Sequence, residues 1–247
     1  MLSVVLPCFN ESRHGYLPQI LENLCAQAGD KQLIVVVSPS EDDTLAIVRR
    51  FEGVEVIEAA ASNRAQRLNV GIEACRGEAV LLHHPATLLP AGDALVQAQV
   101  ALETAAWGGF VHSFDMDHWL LRFTSWYSTR QRSRRQRILY LDHCIFARKQ
   151  ALVEIGGVPD MDIFEDTDLS LALAAWGEEN SLNGGRPAIA SGKVVTSARR
   201  FRDRGIYRQA LLNQLLKLMY LTKQDPKKLN WLYERKSQIN VSYSETD

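Results

Sequence analysis

The chain has 247 residues, 46% hydrophobic and 23% charged, enough for one α/β domain with a sizeable core and a short appendage. Its formal net charge of −1 gives no global attraction to nucleic acid, so no such partner is expected. Charge is nonetheless uneven: residues 122–137 hold six arginines and no acid.

Short apolar, β-branched runs recur at residues 4–6, 33–37, 54–57 and 79–82. The first is expected to break at Pro7 into the polar loop Cys8-Phe9-Asn10-Glu11. Amphipathic stretches separate the runs: 17–26 with Ile20, Leu21 and Leu24 on one face, 44–51, and 64–74 with Leu68, Val70 and Ile72. Such alternation predicts a parallel sheet covered on both faces. Ligands in such sheets bind beyond the carboxyl ends of the strands, which singles out loops 7–11, 38–43 and 83–87 and the turn before Arg64. Residues 94–106 then read as helix, 109–114 as strand and 117–137 as a mixed aromatic and arginine-rich insertion. The insertion is expected to be either a diphosphate clamp or a solvated helix with Trp119, Phe123, Trp126 and Tyr127 packed inward. Residues 144–147 read as a strand, and 166–176 as an amphipathic helix with carboxylates at its start. After Arg199-Arg200 the tail turns helical, with Leu211, Leu212, Leu215, Leu216 and Met219 at helical spacing, and Asp225-Pro226 opens another short helix. Such a stripe is expected to bury against its own protein or a second copy. Lying on an anionic membrane surface is the rival arrangement.

The four cysteines, Cys8, Cys25, Cys75 and Cys144, have no Cys-x-x-Cys spacing and suit buried free thiols in a reducing cytoplasm. No signal peptide is expected, because the chain opens directly in a strand. No uncharged apolar run approaches the ~18 residues that a membrane-spanning helix needs.

Four dispersed segments carry a family resemblance: Arg64-Ala65-Gln66-Arg67-Leu68-Asn69-Val70-Gly71, Tyr140-Leu141-Asp142-His143, Gly156-Gly157-Val158-Pro159-Asp160 leading to Phe164-Glu165-Asp166, and Thr196-Ser197-Ala198-Arg199-Arg200. With the opening strand and loop, they make the chain similar to the inverting family 2 glycosyltransferases. Within these it resembles a bacterial subgroup linked to arsenosugar synthesis. The resemblance implies a GT-A fold over residues 1–198, a single domain with a central, mainly parallel sheet flanked by helices, and a helical extension over 199–247. It also implies a cytoplasmic enzyme, at most peripheral to a membrane and compatible with a homodimer, that takes a nucleoside-diphosphate sugar as donor and an unknown acceptor hydroxyl.

The same resemblance assigns roles. Asp166 is the catalytic base with Glu165 beside it, although carboxylates at a helix start are also favoured for the helix's own sake. Pro7, Asn10, Glu11, Ser38, Arg64, Asn69 and His84 fall on the nucleotide side, Arg64 as a fork for phosphate. Asp142 and Gly157 fall on the acceptor side. Two departures accompany these matches. Where the family places an aspartate after its second strand the chain has Val37, and where it places the aspartate that binds Mg²⁺ or Mn²⁺ the chain has Ala86. An alanine offers a cation no oxygen, so weak or absent divalent-metal binding is expected. His83 and His84 flank the gap; on a strand, at most one of them faces the crevice. A rival reading follows: a degenerate homologue that keeps the fold as a binding or scaffolding protein.

Overall fold

The structure, a computed structural model, describes residues 1–12 and 15–234. Alternation along the first strand, β1 (Leu2–Cys8), sets the architecture: Val4, Leu6 and Cys8 enter the core on one face and Val5 the core on the other. Seven strands join it: β2 (Lys31–Val37), β3 (Val54–Glu58), β4 (Ala79–Leu82), β5 (Thr87–Leu88), β6 (Trp107–Phe114), β7 (Ile145–Arg148) and β8 (Ala188–Thr196). Their order is β3-β2-β1-β4-β7-β6-β8-β5. The first four in that order are mutually parallel, β7 is antiparallel to both neighbours, and β5 is antiparallel to β8.

The α-helices of the described residues are α1 (Tyr16–Cys25), α2 (Thr44–Val48), α3 (Arg64–Ala74), α4 (Ala94–Ala101), α5 (Trp119–Trp126), α6 (Ser133–Gln136), α7 (Lys149–Glu154), α8 (Glu165–Glu179), α9 (Arg199–Arg204), α10 (Ile206–Leu221) and α11 (Pro226–Glu234). Leu17, Ile20, Leu21 and Leu95 of α1 and α4 cover one face of the sheet. Leu68, Ile72, Leu152, Leu169 and Leu173 of α3, α7 and α8 cover the other. Helix α3 lies so close to β1 that a Cβ on Gly71 would stand 2.2 Å from Val5 Cγ1. The expected sheet flanked by helices is present, and no helix among the described residues is long and apolar enough to cross a membrane.

Several expectations need correction. β1 runs through Pro7 instead of breaking there: β4 pairs only with Leu2–Val5, so the missing N–H falls where β1 has a neighbour on one side alone. Residues 102–106 leave the predicted helix, and β6 starts two residues before the predicted strand. The insertion at 117–137 is one nearly continuous helical passage: α5, a π-helical turn at Tyr127–Arg132, then α6. Its aromatic side chains do not pack inward; Trp119, Phe123 and Trp126 are exposed. α5 turns Leu121 and Ser125 inward instead, because the wall it meets includes the polar ring of His112, whose Nδ1 bonds Ser125 Oγ at 2.9 Å. The tail stripe is likewise not buried. Leu216 is covered, but Leu211 and Leu215 stay 72% and 50% exposed. α10 lies over a polar cavity, and so turns Gln209, Asn213 and Lys217 inward with Leu216.

Candidate functional site

The cavity has a volume of about 220 Å³. It opens where the ends of β4 and β8, the start of α8, the π-helical turn and α10 converge. Of the residues singled out in the sequence, Arg64, His84, Asp142 and Asp166 line it. Ala86, Arg199 and Arg200 line it as well, Glu165 stands directly behind, and Pro7, Asn10, Glu11, Ser38, Asn69 and Gly157 lie elsewhere.

Asp166 occupies the second position of α8 and is 8% exposed. Its Oδ2 accepts a hydrogen bond from Leu141 N at 3.0 Å. Burial, then the neighbouring Glu165 carboxylate, push its carboxyl up to about 7, against the pull of Arg64 and the Leu141 amide. At neutral pH such a carboxyl is about half ionised, a poise suited to taking up a proton. Glu165 is almost fully buried, and its Oε1 takes both Nε and Nη2 of Arg64 at 2.5 Å. Arg64 is thus engaged by a carboxylate rather than turned to a ligand phosphate.

Asp142 sits on a 3-10 turn, Leu141–His143, with Oδ2 3.4 Å from His112 Nε2. Burial raises its carboxyl, but the surrounding His112, His143, His84 and Arg132 outweigh it and leave the group lowered. His143 shows how this wall is fixed. Its Nδ1 lies 2.9 Å from Phe110 O, an acceptor only, so Nδ1 carries the hydrogen. Burial holds the ring neutral, pulling it down to about 4, so Nε2 accepts from Ser128 Oγ at 2.8 Å. That hydroxyl in turn accepts from Arg132 Nη1 at 3.0 Å.

Around position 86 the groups do not suit a divalent cation. Ala86 has no donor atom, and its own N–H points at His84 Nδ1, 3.2 Å away. Burial first, then Arg64 and Arg199, hold His84 neutral. With Nδ1 accepting, the ring hydrogen sits on Nε2, which then has no lone pair for a metal. Among the described residues no trio of His, Cys, Asp and Glu side chains is placed to hold one. Positive charge comes instead from the segment after β8. Arg199 reaches Glu11 at 3.8 Å, while Arg200 lies 4.1 Å over the Tyr233 ring and 3.9 Å from Glu234, and both arginines line the cavity. His83 faces away and is buried, its ring nitrogens without a hydrogen-bond partner among the described residues.

The remaining sequence candidates hold loops together. Asn10 (φ +52) accepts from Glu41 N at 2.9 Å and donates its own N–H to Ser40 Oγ, which ties the β1 loop to the β2 loop. Ser38 donates to Ala61 O and accepts from the buried Arg67. Asn69 clamps Val158 from both sides, accepting from its N–H at 2.7 Å and donating to its carbonyl at 2.8 Å. Gly157 lies against the Asn69 amide, and Pro7 is a buried strand residue. Sequence reasoning did not single out Arg132, Lys217 or Tyr233 as wall residues. An arginine run and a leucine-rich helix do not reveal which side faces inward.

Residues 3–156 match the family model described as glycosyl transferase family 2. No curated protein matches the chain. Among solved structures, a mannosyltransferase from Pyrobaculum calidifontis in complex with GDP-mannose and Mn²⁺ superposes with a TM-score of 0.64 at 18% identity, over 96% of this chain and 69% of that one. TarS of S. aureus gives 0.59 at 14% identity, over 99% of this chain and 44% of that one, so the chain spans less than half of that relative. TarS residues 1–349 in complex with UDP give 0.56 at 15% identity, over 95% and 70%. Identities this low speak for the fold alone, that of the GT-A glycosyltransferases, whereas the family model covers more than half of the chain. The chain belongs to glycosyl transferase family 2.

Proposed function

We propose that the protein transfers a sugar from a nucleoside diphosphate to an acceptor hydroxyl with inversion, Asp166 acting as the base. The observation that carries this reading is the Asp166 carboxylate: buried at a helix start, anchored through one oxygen, open to the cavity and raised to about 7. In the step, the acceptor oxygen forms a bond to the anomeric carbon as the bond from that carbon to the diphosphate oxygen breaks. The nucleoside diphosphate leaves with the electron pair, and the acceptor proton passes to Asp166. Solved relatives bound to UDP, UDP-GlcNAc and GDP-mannose support such a donor. In this chain Arg199, Arg200 and the His84 Nε2–H are the groups suited to the leaving diphosphate. No step is routed through a metal, because Ala86 and the His84 tautomer do not fit one.

In this reading residues 1–198 form the catalytic unit and 199–247 an extension, of which the described part, through Glu234, roofs the cavity. The test is calorimetric titration with UDP- and GDP-sugars, in EDTA and in Mn²⁺, followed by transfer assays of the wild type and Asp166→Asn. Donor affinity is expected to be the same with and without metal, and the variant is expected to bind donor while losing transfer by at least ~10²-fold. Full turnover by Asp166→Asn overturns the assignment. Absence of any nucleotide binding favours the rival reading, a binding protein on a retained fold, which Ala86 motivates.

A further inference from the structure

Two cations in the cavity wall lack a carboxylate. Arg132 is buried at the end of the π-helical turn, and Lys217 reaches in from α10. Both stand against the Tyr140 ring, the guanidinium carbon 4.5 Å and the ammonium nitrogen 5.3 Å from its centroid. Neither forms a salt bridge among the described residues. Asp142 and Asp166 share the cavity, but the first is turned to His112 and the second to the Leu141 amide. The Lys217 ammonium is pulled down to about 8 by burial and then by repulsion from Arg132, with Asp142 and Asp166 opposing. Like charges gathered in a part-buried wall destabilise one another, and a bound anion removes that cost.

The arrangement is built, not incidental. Arg132 donates Nη1 to Ser128 Oγ, which is fixed from behind by His143 and, through it, by the Phe110 carbonyl. One guanidinium nitrogen is thereby committed to the wall. No other hydrogen bond of Arg132 to a described residue engages the rest of the fork.

We propose that Arg132 and Lys217 form an anion slot in the acceptor half of the cavity, and that the acceptor carries a phosphate group. This rests on the glycosyl-transfer reading, with Asp166 marking where the reacting hydroxyl lies. Phosphate fits better than carboxylate. A phosphate monoester carries close to two negative charges at neutral pH, matching a fork and a point charge, whereas a carboxylate leaves one cation unbalanced. The phosphate belongs either to a small soluble ester or to a lipid headgroup.

Lys217 supplies its own reporter. Its reaction with an amine-directed acylating reagent at pH 8 is followed by mass spectrometry, with sodium phosphate or glycerol phosphate titrated against chloride at constant ionic strength. The expected result is at least tenfold protection of Lys217 at saturation, unchanged when UDP is also present. In calorimetry Lys217→Met is expected to lose phosphate binding and keep UDP binding, and Lys217→Arg to restore the former. Protection by glycerol phosphate identifies a soluble ester; protection only by vesicles containing phosphatidic acid identifies a lipid headgroup. Equal labelling with and without every phosphate probe overturns the slot. So does protection that UDP abolishes, which assigns these cations to the donor. Failure of UDP and GDP to bind while phosphate still protects Lys217 sinks the glycosyl-transfer reading and leaves the slot standing.

Discussion

Asp166 holds its carboxylate where burial and Glu165 both oppose the charge, and this has opposite consequences for activity and stability. In the proposed role as base Asp166 must be ionised, so kcat/KM is expected to rise about tenfold per pH unit below about 7 and to level off above it. Stability moves the other way. Between the unperturbed value near 4 and the folded value near 7, the native state binds more protons than the unfolded chain, so stability falls as pH rises through that window. Asp166→Asn is expected to remove both slopes and to be more stable than wild type at pH 8. Chemical denaturation at pH 5 and pH 8 checks the second claim; an unchanged pH dependence refutes it. Arg64 makes a companion case. Arg64→Ala strands Glu165 as a buried, unpaired carboxylate, with an expected loss of about 3–5 kcal/mol in urea titration. The paired carboxylates were legible in the sequence because they open a helix just after a glycine turn. That Glu165 is neutralised by Arg64 was not, since the two lie on different helices and no local pattern links them.

Secondary elements differ in how much they announced themselves. β1 to β4 and the helices between them are local, strongly periodic and buried on a continuous sheet, and their positions follow from the spacing of apolar residues. β8 was missed: its Ala188-Ile189-Ala190-Ser191-Gly192 opening has small side chains, and its register with β6 shifts between Phe110 and Val111. β5 spans only Thr87–Leu88 and owes its existence to β8. The turn before α8 carries a sharper constraint. Gly157 has φ +83, and a Cβ there would stand 2.5 Å from Asn69 Oδ1, the atom that accepts from Val158 N. Gly157→Ala is therefore expected to cost more than about 1 kcal/mol, through backbone strain plus loss of that hydrogen bond. Thermal unfolding of Gly157→Ala and Asn69→Ala, alone and combined, checks this. Costs that add fully in the double variant would show that the two positions do not act through one contact.

At the scale of the whole molecule, the cavity joins parts of unequal firmness. Its floor is the sheet and the start of α8, while its roof is α10, held by Leu216, Gln209, the Phe164–Tyr220 ring contact and the Tyr220 hydroxyl on Asp168. Outside, Tyr207, Leu211, Leu215 and Leu218 remain exposed, close to the exposed aromatics of α5 through the His118–Tyr207 ring contact. Truncation after Gly205 is expected to leave the sheet folded by circular dichroism and to abolish transfer; retained transfer would show that the roof plays no part in the site. The division also has a kinetic side. Amide protons of β1 and β2 are expected to exchange with solvent only on unfolding of the whole domain, and those of α10 whenever the roof lifts. A ligand that bridges Asp166 and Lys217 should slow deuterium uptake in α10 and leave the central strands unchanged. On heating, the cavity should lose its roof before the fold is lost, so that the upper temperature for ligand binding is set by one helix.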